Sequence, residues 1–254
     1  MTLSGKVAWL TGGGSGIAQA AALELARAGA TVVVSGRRAP PLEQTVALVR
    51  EAGGTAHAAP LDVSASADVT RVAAGLVERY GAVDILVNSA GTNVPKRFLA
   101  TLKPADWDYV VGINLSGATY TTLAVLPAMR TKLGGVIINV SSWLGRYGGY
   151  LGGISYNATK HGLAAMTQQL NLEEGVNGIR GCVIFPAEVA TPILKTRPVP
   201  PSDEEMARML KPEDLARTIR FVAEAPAHVC FNEIVVSPAH NRLWLGGPDL
   251  KLHP

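Results

Sequence analysis

A single α/β domain built on one doubly wound parallel sheet is the fold class this sequence predicts. Three observations lead there. Short apolar runs recur along the 254 residues: Val32-Val33-Val34, Ile85-Leu86-Val87, Val136-Ile137-Ile138, Val183-Ile184-Phe185 and Ile234-Val235-Val236. Such runs fit strands buried on both faces. Helix-like segments separate most of them, and strand–helix alternation argues for a parallel sheet covered on both sides. No repeat, linker or low-complexity tract divides the chain.

The elements follow in order. Lys6-Val7-Ala8-Trp9-Leu10 reads as the first strand, and Gln19 to Ala28, rich in Ala and Leu, as the first helix. Gly29 and Gly53 stand where helices would be capped. Between strand and helix lies Thr11-Gly12-Gly13-Gly14-Ser15-Gly16-Ile17-Ala18. Strand, glycine turn and helix in this order suit a dinucleotide pyrophosphate. Glycines let the backbone approach the phosphates, and the helix start offers unpaired N–H groups. Far along the chain, Tyr156 and Lys160 are four residues apart in a helical stretch, so they share a face. A free phenol has a pKa of roughly 10 and exchanges protons poorly at neutral pH. A cation one turn away favours the phenolate.

Together these stretches resemble the short-chain dehydrogenase/reductase family, in an NADP-preferring branch, over residues 4 to about 238. Thr11-Gly12-x-x-x-Gly16-Ile17 is similar to the family's glycine turn, with Ala18 in place of its last glycine. The resemblance implies a Rossmann-type sheet of about seven strands in the order 3-2-1-4-5-6-7. It also implies an oxidoreductase that interconverts a ketone or aldehyde and an alcohol, with Tyr156 as general acid/base. Asn114, Ser142, Tyr156 and Lys160 form the implied catalytic set. Ser142 lies 14 residues before Tyr156, one more than the commonest family spacing. Ser141 competes with it, and the match of Ser141-Ser142-x-x-Gly145 favours Ser142. Asn114 resembles the asparagine that interrupts the family's central helix.

Cofactor contacts carried over in the same way are Thr11, Gly12, Gly14, Ser15, Gly16, Ile17, Asp62, Val63, Asn88, Ala90, Gly91, Pro186, Val189 and Thr191, besides Tyr156 and Lys160. Ser89 and Ala187 depart from the family's usual Asn and Gly. The second strand ends Ser35-Gly36-Arg37-Arg38, without the acid that holds an NAD ribose. A guanidinium at Arg37 fits a 2′-phosphate, and Arg38 adds charge or stacks on adenine. NADP(H) is therefore the expected cofactor, with NAD(H) as the alternative.

Candidate substrate contacts follow the strand ends: Asn93, Val94, Trp143, Leu144, Tyr147, Tyr150, Glu188, Ile193 and Leu194. Most are apolar or aromatic, which suits an apolar body beside the carbonyl. Glu188 would either read a polar group or pair with Arg146 or another loop base. Lys96 and Arg97 read first as a solvated loop, with attraction of an anionic substrate as the alternative. A mobile substrate lid is implied near residues 190–212, with Ser202 as the N-cap of a short helix. The tail, 239–254, carries Leu243, Trp244 and Leu245, and is expected to pack on another subunit, in a homodimer or homotetramer.

Composition narrows the class further. Net charge is +3 with scattered basic residues, so nucleic acid is not an expected partner. No apolar run approaches the roughly 20 residues of a membrane span, and no secretory pattern opens the chain. Cys182 and Cys230 have no metal or redox spacing, and a reducing cytoplasm is expected. No metal site is expected. Two other readings compete: a nucleotide-binding sensor without chemistry, and a cofactor-free lyase or dehalogenase of the same fold. The full Tyr/Lys set argues against the first. The glycine turn, Arg37 and Lys160 argue against the second.

Overall fold

The structure, a computed structural model, describes residues 2–197 and 199–245. Seven parallel strands form one sheet: β1 (Val7–Thr11), β2 (Thr31–Ser35), β3 (Thr55–Ala58), β4 (Ile85–Asn88), β5 (Gly135–Val140), β6 (Ile179–Pro186) and β7 (Glu233–Val236). Their order is β3-β2-β1-β4-β5-β6-β7, as the resemblance implies. The helices between them are α1 (Gly16–Arg27), α2 (Ala39–Glu51), α3 (Ser66–Tyr80), α4 (Pro104–Val111), α5 (Gly117–Lys132), α6 (Gly153–Glu174), α7 (Asp203–Arg208), α8 (Pro212–Ala223) and α9 (Arg242–Leu245).

Alternation along each strand sends side chains to two cores. Ala8, Leu10, Val32, Val34, Val87, Ile138 and Ile184 join one core, closed by Leu25 of α1, Val46 of α2 and Ile219 of α8. Trp9, Val33, Leu86 and Ile137 join the other, closed by Val72 of α3 and Val125 and Met129 of α5. Each fully buried large side chain contributes on the order of 1.5–3 kcal/mol. Trp9 keeps its polar edge satisfied by donating from Nε1 to Ser35 Oγ at 2.9 Å. Gly29 and Gly53 do end helices, at φ +103° and +79°.

The long helix before β5 is not continuous. A π-helical turn, Gly112–Ser116, joins α4 to α5 and holds Asn114. The helical stretch Pro104–Lys132 is long and apolar enough by composition to cross a membrane, but half of its apolar window is buried inside the fold. Ser202 caps α7 through a reciprocal box with Glu205, as the sequence predicts.

Leu243 packs against Trp143, Leu144 and Ala187 of its own chain. Trp244 meets Trp143 edge-on, with ring centroids 5.0 Å apart. Leu243 is thus partly covered within the chain, while Trp244 stays 69% exposed. Residues 246–254 of the expected tail lie outside the described residues.

Candidate active site

One cavity of about 300 Å³ opens at the carboxyl ends of the strands, where parallel α/β sheets place their ligands. Its near end is the glycine turn. Gly12 has φ +71°, and a Cβ there would sit 3.0 Å from the backbone of Ala90. Only glycine fits that left-handed, crowded position. Gly12, Ser15, Gly16 and Ile17 line this end, with Gly91, Pro186, Val189 and Thr191 further in. This backbone-lined cradle at the start of α1 fits a dinucleotide pyrophosphate.

Other expected cofactor contacts do structural work. Thr11 is buried, and its hydroxyl accepts from the N–H groups of Ser89 and Ala90, both at 3.2 Å. Asn88 is held by Asn139, Thr121, Thr122 and Ala118, tying β4 to β5 and α5. Asp62 Oδ1 accepts from the Ser64 amide and hydroxyl. Burial alone would raise its carboxyl; the Ser64 bonds and the charge of Arg37 outweigh that and lower it. Arg37 and Arg38 are exposed beyond β2, and Arg37 donates to the Tyr109 hydroxyl at 3.3 Å. Gly14, Val63 and Ala90, like these five, do not form the cavity wall among the described residues.

At the middle of the cavity stand Ser142, Tyr156 and Lys160. The two serines after β5 divide their work. Ser141 donates to the Lys160 carbonyl at 2.8 Å and so pins α6 to the strand end. Ser142 accepts from the Leu144 amide at 3.2 Å, capping the 3-10 turn Trp143–Gly145, and lines the cavity together with Tyr156. Gly145 is required there, because a Cβ would collide with the Ser141 hydroxyl and the Lys160 carbonyl. Asn114 accepts from the Thr92 amide at 2.8 Å and donates to its carbonyl at 3.0 Å, fixing the segment after Gly91.

The electrostatics correct the simple Tyr–Lys pair. Burial dominates the Tyr156 phenol and raises it above its ordinary value; the nearby Ser142 hydroxyl and the charges of Arg197 and Arg97 pull the other way. Lys160 is itself brought down to about 8 by burial. Its Nζ donates to the Val140 carbonyl at 2.8 Å and lies 5.7 Å from the centre of the Tyr156 ring. Removing either group from water disfavours its charged form, which the spacing alone does not reveal.

The far end meets the substrate expectations unevenly. Asn93, Trp143, Leu144, Glu188, Ile193 and Leu194 line the cavity. Val94, Tyr147 and Tyr150 are not in its wall among the described residues. Tyr147 leans on Trp143 from the surface at 4.5 Å, and Tyr150 stacks on Phe98 at 4.5 Å. Arg146 pairs with Glu233, not with Glu188. Glu188 instead takes Arg197 at 2.6 Å and Arg242 at 2.8 Å, and Arg242 reaches Glu205 of α7 at 2.6 Å. Burial alone would raise Glu188; the hydrogen bond from Arg242 and the charge of Arg197 hold it below its ordinary range.

The sequence does not single out Leu151, Arg197 or Leu243 as wall residues, and offers Arg97 only as the alternative to a solvated loop. Arg97 is 3% exposed, against the expectation of a solvated loop. Arg197 and Leu243 reach the wall from the lid and the tail. The apolar Leu243-Trp244-Leu245 run signals a buried tail without saying where it docks.

Comparison with known proteins places these features. A sequence model of the short chain dehydrogenase family matches residues 6–200. An uncharacterised oxidoreductase of Listeria innocua is 33% identical over 246 residues, covering 94% of this chain and 98% of that one. A metagenomic short-chain oxidoreductase solved with NADP superposes at TM-score 0.82 and 29% identity, covering 94% of this chain and 99% of that one. A 3-ketoacyl-(acyl-carrier-protein) reductase of Brucella melitensis solved with NADH gives TM-score 0.85 and 29% identity, with the same coverage. The chain belongs to the short-chain dehydrogenases and is a nicotinamide-using oxidoreductase of alcohol and carbonyl groups.

Proposed function

We propose that the protein is an NADP(H)-dependent reductase of ketones or aldehydes, reversible toward the alcohol, in which Tyr156 moves the proton. The observation that carries this reading is that Ser142, Tyr156 and Lys160 line the same cavity as the glycine cradle. A reduced nicotinamide bound in that cavity supplies hydride to the carbonyl carbon. Ser142 and Tyr156 donate hydrogen bonds to the carbonyl oxygen as negative charge develops there. Tyr156 then gives up its proton to that oxygen. Its raised pKa keeps the phenol protonated at neutral pH, which suits the reductive direction. Lys160 holds the ribose side of the site and its positive charge favours the phenolate left behind. Asn114 keeps the segment after β4 in place.

Preference for NADP(H) is supported by the missing acid after β2 and by Arg37 and Arg38 standing exposed there. The test is cofactor oxidation with a carbonyl panel, run with NADPH and NADH. We expect carbonyl-dependent turnover and a kcat/KM at least about tenfold higher with NADPH, since a charge-assisted phosphate contact is worth about 1.5–3 kcal/mol. Turnover with neither cofactor overturns the reading. A preference for NADH overturns only the role of Arg37.

A further inference from the structure

We infer that Leu243, brought to the site by the C-terminal tail of the same chain, sets the size of the carbonyl substituent that the site accepts, and that Arg242 is the clamp that holds it there. The inference rests on the reductase reading above and names what selects its substrate. Leu243 lines the cavity that holds Ser142, Tyr156 and Lys160. It packs on Trp143, Leu144 and Ala187, the same apolar floor that carries Tyr156. A substituent on a carbonyl beside Tyr156 therefore shares that floor with the Leu243 side chain.

The floor comes from two strand ends. Trp143 and Leu144 follow Ser142 after β5, and Ala187 follows β6. At 187 the sequence departs from the family's usual Gly, and the added methyl is part of the surface that Leu243 covers. The other aliphatic side chains at this end, Leu151, Ile193 and Leu194, come from the connections after β5 and β6. Among the described residues, Leu243 is the single wall residue from beyond β7.

The tail does not hold itself in place. α9 spans only Arg242–Leu245, far short of a helix that is stable alone in water. Tertiary contacts fix it instead. The Arg242 guanidinium donates to Glu188 at 2.8 Å and to Glu205 at 2.6 Å. Glu188 is buried and follows Ala187 directly, so the pair is little screened by salt and tethers Arg242 beside the floor. Asn241, also buried, accepts from the Leu243 amide at 3.1 Å through its side chain and from the Trp244 amide at 3.0 Å through its carbonyl. Trp244 meets Trp143 edge-on. Anchored on both sides, Leu243 is a fixed part of the wall. At a fixed apolar wall, one methylene more or less changes acceptance of a substrate by about 10-fold or more.

The test is a size series. Reduction of butanone, 2-hexanone and acetophenone with NADPH is measured in wild type, Leu243→Ala, Leu243→Phe and Arg242→Gln, each kcat/KM taken as a ratio to that for butanone. The acetophenone ratio should rise about 10- to 100-fold in Leu243→Ala and fall about 10-fold in Leu243→Phe. Arg242→Gln should move it toward the Leu243→Ala value, because an unclamped Leu243 no longer limits the space. A ratio that moves the same way in Leu243→Ala and Leu243→Phe, or stays within twofold of wild type in both, overturns the size limit and leaves the reductase reading standing. A ratio unchanged in Arg242→Gln overturns the clamp alone. Because the ratio is taken within one variant, a general loss of active protein cancels. If Leu243→Ala does not fold, Leu243→Val takes its place. If no ketone turns over, the reductase reading fails, and the size limit is decided by titrating the NADP-loaded proteins with 2-methylpropan-2-ol and 2-phenylpropan-2-ol, tertiary alcohols that cannot be oxidised. The same opposite shifts in their binding ratio uphold it. Unshifted or absent binding overturns it.

Discussion

At the glycine-turn end of the cavity the wall is mostly backbone, folded by residues adjacent in sequence. At the far end it is side chains, brought together from the stretch after β6 and from the C-terminal tail. Gly12, Ser15 and Gly16 come from one turn. Glu188, Arg197 and Glu205 follow β6, Arg242 comes from α9, and the four meet in one ion network. Trp143 and Trp244 make a similar long-range contact. On the proposed function, the first end serves a generic task, holding a nucleotide, through a local motif, and the second serves a particular one, shaping a substrate site, through tertiary contacts that other chains of this fold can vary independently.

Three substitutions can break or sharpen that contrast. Gly12→Ala should have the largest effect. It forces an L side chain into φ +71° against the Ala90 backbone. Titration should show NADPH affinity falling about 100-fold, equivalent to about 2.7 kcal/mol. An affinity within twofold of wild type would mean that the cradle is not backbone-limited.

Glu188→Gln attacks the other end. It leaves Arg197 and Arg242 without their shared carboxylate, and breaking a buried pair typically costs about 3–5 kcal/mol. Part of that loss is absorbed by the remaining Arg242–Glu205 pair. Steady-state kinetics should show the KM for the carbonyl rising about tenfold while NADPH affinity stays within twofold. An equal loss in both would show that the two ends are not separable.

What could be read from the sequence follows the same division. The sheet was legible because each central strand is a continuous apolar run and each helix has a start or stop residue nearby. Gly12, Tyr156 and Lys160 were legible because their geometry follows from near neighbours along the chain, and Ser142 through the family resemblance. Arg97 was not, since its partners include the Leu151 carbonyl 54 residues away. Nor were the docking place of Leu243 and the partner of Glu188, which depend on how the lid and tail cross. The direction of the Tyr156 shift was also hidden, because burial is a property of the assembled site.

Lys160 joins the two ends and gives the smallest of the three effects. Its folded value of about 8 lies below the ordinary 10.5, so the folded state binds its proton less readily than the unfolded chain. The resulting penalty is fully present below pH 8 and is relieved as pH rises from about 8 to about 10.5. At 1.36 kcal/mol per unit, that penalty is on the order of 3 kcal/mol. Lys160→Met removes it but leaves the Val140 carbonyl unpaired, at about 1–2 kcal/mol. The cofactor-free variant should therefore be about 1–2 kcal/mol more stable than wild type at pH 7 by urea unfolding, and inactive. The gain should shrink as pH approaches 10. A variant less stable at pH 7 would show that the lysine is a structural group first.

The central claim is that Tyr156 supplies the proton in a cavity whose cofactor end is built separately. Measuring kcat and NADPH affinity together in Tyr156→Phe tests it most directly. The account predicts a kcat lowered by about 10²- to 10⁴-fold with NADPH affinity within twofold of wild type. Near-normal turnover, or a loss of cofactor affinity as large as the loss of rate, would contradict it.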